Sequence, residues 1–321
     1  MTIWCNGDFG PAAMRLLGQG VGAHTLVLAQ ERQPSVLAHG RRDPALASAD
    51  VAFGQPAPAD CLASPSLRWI EVSTAGYTRY DNDAFREAVR SRGIAFTNAS
   101  QVYADACAEH VLAMMLADGR RLLPSYGTQL GDRGWPQAER RSEARLLAGS
   151  TVVMLGFGAI GRRLAQLLGP FSARIYAVRR SIRSEPGVHV VPEGKLSQVL
   201  EEADHVVDVL PENEETRNYV NARRISCMKP GARFYNVGRG ATVDQEALIE
   251  ALAAGRLGAA HLDVTTPEPL PPGHPLWSAP NCFITPHMAG GRRDEAAELV
   301  RHFLSNLAAF ETGAAMVDRV M

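Results

Sequence analysis

Directly after the run Thr151–Leu155 (TVVML) the chain reads Gly156-Phe157-Gly158-Ala159-Ile160-Gly161, and an apolar-periodic stretch, Ala159–Leu168, begins there. Glycines at that spacing let a strand turn tightly into a helix, let backbone approach a pyrophosphate, and let the helix pack close on the strand. The free N–H groups at the helix start then hold the anion without a basic side chain. A bare GxGxxG is weak, but here a strand precedes it, a helix follows, and a further strand, Arg174–Val178, comes next. A dinucleotide is therefore the expected ligand. The end of that further strand bears on which one. An acidic residue there bonds the ribose hydroxyls of NAD, whereas arginine receives the 2′-phosphate of NADP. This chain has Val178-Arg179-Arg180-Ser181 and shows no carboxylate at the strand end. NADP is the preferred cofactor on this reading, with NAD as the second possibility.

Three more segments place reactive side chains after candidate strands. Asn236-Val237-Gly238-Arg239-Gly240 puts Arg239 at the C-terminal edge of a strand, which is where open α/β sheets bind ligands. Asp263 to Pro271 (DVTTPEPLP) leaves a strand into a proline-stiffened loop that carries Glu268. Thr285-Pro286-His287-Met288-Ala289-Gly290 ends another strand with a histidine in a turn of small residues. Singly, each is commonplace: a surface arginine, a solvated glutamate, a structural histidine. In this order behind a dinucleotide turn they are informative together.

Elements must exist to position these groups. Short apolar runs alternate with helical patterns, the mark of βαβ units around parallel sheets. One series of strands is expected at Ile3–Cys5, Thr25–Ala29, Val51–Gly54, Trp69–Ser73 and Ile94–Thr97. A second holds Thr151–Leu155, Arg174–Val178, His205–Leu210, Arg233–Asn236, Ala259–Asp263 and Cys282–Thr285. Val102–Leu123 reads as one long helix, apolar on several faces and so buried between domains or subunits. The stretch 124–147 lacks a clear period and reads as a surface arm. Asp294–Thr312 sets Leu299, Val300, Phe303, Leu304, Leu307 and Phe310 at helical spacing and must dock on something.

Bulk properties exclude several classes. A length of 321 residues favours two domains, since single cores stop growing near about 250–300 residues. The formal net charge of −1 creates no field for nucleic acid or anionic membrane. The first residues lack a signal-peptide pattern, and no apolar run is long enough to span a bilayer. Cys5, Cys61, Cys107, Cys227 and Cys282 are scattered and odd in number, which argues against disulfides or a metal site and for a cytoplasmic protein.

With these segments in hand, the chain resembles the D-isomer-specific 2-hydroxyacid dehydrogenase family over essentially its whole length. The resemblance rests on GFGAIG, NVGRG, LDVTTPEPLP, HPLWSAPN and TPHMAGG, and upstream on EVSTAGY (71–77) and VYADACAEH (102–110). It implies two doubly wound parallel-sheet domains: a Rossmann cofactor domain, 100–288, inserted into a flavodoxin-like substrate domain, 1–99 plus 289–321. Docking of the last helix on the N-terminal half, and closure of the two domains to exclude water, follow from that pattern. The resemblance also implies roles. Arg239 clamps the carboxylate and keto oxygen of a small 2-keto acid, His287 protonates the keto oxygen, and Glu268 bonds the other ring nitrogen of His287, favouring imidazolium. Gly156, Phe157, Gly158, Ala159, Ile160, Gly161, Arg179, Arg180, Ser181, Leu210, Pro211, Val237, Gly238, Arg239, Asp263 and His287 fall to the cofactor. Ala75, Gly76, Tyr103, Arg239 and His287 fall to the substrate, with Val102 beside Tyr103.

Two departures stand out: Thr265 where many members have an aromatic residue, and Leu210-Pro211-Glu212-Asn213 where many have a threonine after a Leu-Pro-Leu stretch. The arginine pair at 179–180 most resembles NADP-preferring glyoxylate/hydroxypyruvate reductases. Other functions stay open on the same fold. One is a different substrate, such as phosphoglycerate, a bulkier keto acid, formate or phosphite. Another is a non-catalytic dinucleotide-sensing scaffold like the family's corepressors. The absence of a further domain after residue 321 speaks against phosphoglycerate, and Glu268 in place of an amide speaks against formate. A homodimer is expected, since the long apolar helix needs a partner surface and family members commonly pair.

Overall fold

The computed structural model describes residues 1–33, 41–179 and 183–321. They form two compact units, Met1–Tyr103 with Arg292–Met321, and Ala104–Gly291. In the first unit the chain runs β1 (Thr2–Gly7), α1 (Gly10–Gly20), β2 (Thr25–Gln33), β3 (Val51–Gly54), α2 (Pro58–Ala63), β4 (Trp69–Val72), α3 (Asp83–Ser91) and β5 (Ala95–Thr97). The strands lie in the order β2-β1-β3-β4-β5, every pair parallel. Helices on the faces of a parallel sheet force near-continuous apolar strands, and β3, β4 and β5 are buried at every residue.

In the second unit come α4 (Ser100–Gly119, which carries the chain across), α5 (Leu122–Leu130), α6 (Gln137–Glu143), β6 (Thr151–Leu155), α7 (Ala159–Leu168), β7 (Arg174–Val178), β8 (His189–Val191), α8 (Leu196–Glu202), β9 (His205–Asp208), α9 (Ala222–Cys227), β10 (Ala232–Asn236), α10 (Gln245–Ala253), β11 (Leu257–Leu262) and β12 (Cys282–Ile284). Their parallel sheet runs β12-β11-β10-β9-β6-β7-β8. After β8 the chain returns to the other side of β6 and lays down β9. The crevice between the ends of β6 and β9 is thus the topological switch point, where such sheets bind dinucleotides.

The last helix, α11 (Glu295–Thr312), belongs to the first unit and packs on α1. Its Phe303 ring stacks on Phe53 at 4.2 Å and on Trp69 at 5.1 Å, so a short amphipathic stripe becomes part of the core. A polar cluster lies beside it. His302 of α11 bonds Glu71 through Nδ1 at 3.1 Å and Asp318 through Nε2 at 3.2 Å. Asn306 donates to Glu71 and accepts from the Val317 N–H, tying down the C-terminal segment. Burial by itself pushes the His302 imidazole down, but the bonds to and charges of Asp318 and Glu71 outweigh it and push it up to about 9. A raised folded value means that the contribution to stability is complete below about pH 6.5 and is lost as pH rises through 9. From pH 6 to pH 9.5 the urea midpoint of the wild type is therefore expected to fall further than that of His302→Gln, by an equivalent of about 3 kcal/mol. Parallel profiles would remove His302 from the cluster's energetics.

Two sequence expectations are corrected here. The helix expected at Val102–Leu123 stops at Gly119, because Arg121 takes a left-handed backbone (φ 58°) that an α-helix cannot contain. Asp118, in its last turn, is committed to Arg233 of β10, whose Nε donates to it at 2.8 Å. The supposedly aperiodic 124–147 stretch holds much of α5 and all of α6. Neither helix buries a residue: Leu122, Tyr126 and Leu130 of α5 point outward in the chain and α6 is almost wholly polar, so no inward stripe marks them.

Candidate active site

At the switch point, Gly156 leaves β6 with φ +87°, a conformation open to glycine at no cost. A Cβ at Gly156 would press on Leu210 at 3.2 Å and one at Gly161 on Phe157 at 3.0 Å, whereas one at Gly158 would meet nothing within 4 Å. Gly156 and Gly161 serve the turn and its packing, and Gly158 fronts open space. Among the described residues no side chain caps α7, and its first turn holds no acid, so its leading N–H groups are left for an anion. These residues fit a dinucleotide pyrophosphate.

At the end of β7 the structure corrects the reading that no carboxylate is at hand. Glu185, six residues beyond Arg179, accepts from Arg179 Nη1 at 3.0 Å and from Arg162 Nη2 at 3.1 Å. The hydrogen bond from Arg162 chiefly holds its carboxyl below the usual range, with Arg179 adding to the effect. Arg180 and Ser181 lie outside the described residues.

Arg239 follows β10, and three groups pin its main-chain carbonyl. Asn236 Nδ2 donates to it at 3.0 Å, Thr242 Oγ1 at 2.6 Å and Thr242 N–H at 3.2 Å. Asn236 Oδ1 accepts from Gly238 N–H, so one side chain fastens both ends of this turn. The guanidinium is largely buried, which pushes it down from its ordinary value, with Glu268, Glu212 and Cys107 pulling the other way. Gly238 passes against the backbone of Leu210, and Gly240 against that of Thr265. The second approach joins the arginine's loop to the loop that carries Glu268.

His287 follows β12 with φ 49°, a left-handed backbone uncommon for a residue with a Cβ. Asp263, at the end of β11, enforces it. One carboxylate oxygen accepts from Thr285 Oγ1 at 2.6 Å and Met288 N–H at 2.9 Å, the other from Ala289 N–H at 2.8 Å. The His287 N–H donates to the Asp263 main-chain carbonyl at 2.8 Å. The imidazole Nδ1 then meets Glu268 Oε2 at 2.7 Å, while Glu268 Oε1 accepts from Thr265 N–H at 2.9 Å. Burial pushes the Glu268 carboxyl up, but the bonds from His287 and Thr265 and the charges of His287 and Arg239 bring it below its ordinary range. Among the described residues Nε2 of His287 has no partner. Glu268, His287 and Arg239 thus come from three adjacent strand ends of one sheet edge. Leu210, Pro211 and Val237 line the same edge by position, after β9 and β10.

In the first unit, Ala75 and Gly76 follow β4. The Thr74 carbonyl accepts from Ala99 N–H at 3.0 Å and the Ala75 carbonyl from Asn98 Nδ2 at 2.7 Å. In a trans peptide the N–H points opposite to the carbonyl, so the N–H groups of Ala75 and Gly76 turn away from Asn98 and Ala99. Tyr103 is buried beside this loop, its hydroxyl donating to Ser73 O at 2.8 Å and meeting Glu295 at 3.2 Å. Val102 is buried next to it. The sequence reading missed Asn98, Thr242, Glu185 and Asp208. Only Asp208 carried a visible signal, an acid inside the apolar run HVVDVL.

A parallel sheet with an open glycine turn at its switch point, and an Arg, a Glu and a His on neighbouring strand ends, defines a dinucleotide-dependent oxidoreductase. Residues 112–289 match the D-isomer specific 2-hydroxyacid dehydrogenase, NAD binding domain. The chain is 34% identical over 258 residues to a glyoxylate reductase of Aeropyrum pernix, covering 78% of this chain and 75% of that one. It is 34% identical over 250 residues to the glyoxylate reductase/hydroxypyruvate reductase of Mus musculus, covering 77% and 73%. A D-isomer specific 2-hydroxyacid dehydrogenase from Xanthobacter autotrophicus Py2, solved with NADPH and MES, shares the fold with a TM-score of 0.83 at 24% identity, covering 100% of this chain and 98% of that one. The chain belongs to the D-isomer-specific 2-hydroxyacid dehydrogenase family. It is an oxidoreductase of the CH–OH group that interconverts 2-keto and 2-hydroxy acids with a nicotinamide dinucleotide. Among the described residues no helix is long and apolar enough to cross a membrane.

Proposed function

We propose that this protein reduces glyoxylate or hydroxypyruvate to the D-2-hydroxy acid, preferring NADPH. The observation that carries the reading is the 2.7 Å contact of His287 Nδ1 with Glu268, on the sheet edge that also bears Arg239. When bound, the dinucleotide supplies the hydride to the keto carbon. Arg239 holds the substrate's carboxylate and keto oxygen with its planar fork. His287 delivers a proton from Nε2 to that oxygen, so that a carbonyl, a hydride and a proton balance as an alcohol. Glu268 keeps the ring oriented and stabilises its charged form. In the first unit the N–H groups of Ala75 and Gly76 take the substrate carboxylate, with Tyr103 securing their loop. We take the substrate domain to be the first unit and the cofactor domain the second. The activity named for the relatives, glyoxylate or hydroxypyruvate reduction, supports the substrate choice. The test is NADPH oxidation with a panel of keto acids. Fastest turnover on glyoxylate or hydroxypyruvate supports the reading, and preference for a phosphorylated or branched substrate overturns it.

The cofactor preference rests on charge. Arg162, Arg179 and Glu185 together carry a net +1. Arg180 and Ser181 follow directly in sequence. Two charge-assisted contacts to a 2′-phosphate, discounted for exposure, favour NADPH by at least about tenfold in kcat/KM. Arg179→Asp with Arg180→Ala is expected to reverse that order. Equal use of both cofactors by the wild type would refute the assignment.

A cytoplasmic homodimer completes the proposal. Five free thiols suit a reducing compartment. Trp135 at 89% and Leu146 at 73% exposure, with Leu122, Tyr126 and Leu130 close in sequence, give one segment an unusual load of outward apolar side chains. Light scattering at micromolar concentration should give twice the chain mass, and Leu130→Asp with Trp135→Asp should give a monomer.

A further inference from the structure

Asp208 ends β9 and is fully buried. Its pleat neighbours are Leu155 on β6 and Asn236 on β10, both neutral. Among the described residues its carboxyl has two partners: Leu210 N–H donates to Oδ1 at 2.9 Å, and Oδ2 lies 2.6 Å from Thr242 Oγ1. The same Thr242 oxygen lies 2.6 Å from the main-chain carbonyl of Arg239. A threonine hydroxyl has one hydrogen. Given to the Arg239 carbonyl, which has none of its own, it leaves two bare oxygens 2.6 Å apart at Asp208. Given to Asp208, it leaves the Thr242 hydroxyl oxygen and the Arg239 carbonyl oxygen 2.6 Å apart with no hydrogen between them. Both short contacts are hydrogen bonds only when a second hydrogen sits on Asp208 Oδ2, so that Asp208 donates to Thr242 and Thr242 donates to Arg239.

We propose that Asp208 stays a protonated carboxylic acid in the working protein and, through the single hydroxyl hydrogen of Thr242, holds the main chain of Arg239 in place. Asp208 is a positioning residue, and the proposal rests on the reading of Arg239 as the substrate clamp. Burial pushes this carboxyl up to about 7, against the opposing bonds from Thr242 and Leu210. The titratable groups on the neighbouring loops do not reverse this. Arg239 turns its guanidinium Nη1 to Gly238 O, and Glu212 pairs with Arg217. Tyr219 has its phenol on Glu193.

Asparagine reproduces the protonated acid: its oxygen accepts from Leu210 and its amide donates to Thr242. Two measurements on Asp208→Asn test the proposal. The first is thermal stability of the holoprotein and apoprotein against pH. An acid whose folded value is raised costs stability progressively from about pH 4 upward, fully by about pH 7. The variant should therefore match the wild type near pH 4.5 and melt about 5 °C higher at pH 8. The second is KM for the keto acid. In the wild type it should rise about fivefold above pH 7.5, the worth of one hydrogen bond to the Arg239 turn, while in the variant this rise is absent. Thr242→Val, which removes the relay, should raise KM by a similar factor at every pH. An Asp208→Asn protein that is less stable than wild type at pH 8 and weaker in KM would show that the ionised carboxylate is required and overturn the proposal. Failure of the Arg239 reading would appear separately, as ordinary turnover in Arg239→Ala, and would leave the stability measurement decisive for Asp208.

Discussion

Replacing His287 with alanine is expected to lower keto-acid turnover about 100- to 10,000-fold, the range of a lost general acid, with the melting temperature little changed. The side chain is partly exposed at the sheet edge and its only protein partner by ring nitrogen among the described residues is Glu268. The strained turn around it is built from the Asp263 carboxylate and main-chain N–H groups, which the substitution leaves in place. Cofactor binding should also survive, since the glycine turn at 156–161 lies on another strand. Arg239→Ala should be equally inactive. Glu268→Gln isolates the ion pair. It keeps the bond from Thr265 N–H but removes the negative charge beside the imidazole, so the pH profile of reduction should move toward acid. Near-normal kcat/KM in His287→Ala would sink the catalytic assignment, and an unmoved profile would take Glu268 out of it.

Among the described glycines, Gly240→Ala should be the most disruptive added methyl. A Cβ there would sit 2.0 Å from the Thr265 carbonyl oxygen and 2.1 Å from its carbon. Both are backbone atoms, so no rotamer change relieves the clash. Either the 263–270 loop shifts and carries Glu268 away from His287, or the second unit loses on the order of 3–5 kcal/mol. Gly273→Ala, whose added carbon meets nothing within 4 Å, is the matched control and should be neutral within about 0.5 kcal/mol. The pair is read by urea unfolding and by turnover of whatever folds. Wild-type behaviour in Gly240→Ala would mean that the arginine loop and the glutamate loop do not press together.

Much of this was legible before any coordinates. The glycine turn is a local code, because turn, helix start and strand lie within a few residues and each demands its own residue type. The alternation of apolar runs specified parallel sheets, because strands buried on both faces have no polar side to show. Arg239 and His287 each stand three residues past a strand and Glu268 in the loop that follows one, and strand ends of a parallel sheet share one edge, so the sequence could already place the three on one edge. What tertiary structure alone decided are contacts between segments distant in sequence. Glu185 lies six residues beyond Arg179, and only the tertiary structure shows that its carboxylate accepts from that guanidinium. The break at Gly119 comes from the left-handed backbone of Arg121, α5 was hidden because Leu122, Tyr126 and Leu130 face outward, and α6 because it has almost no apolar side chain to set a period. Asp208 shows the limit most sharply. The local run shows only an acid in an apolar strand; its contact with Thr242, and that hydroxyl's contact with the Arg239 carbonyl, exist only where β9 meets the turn after β10.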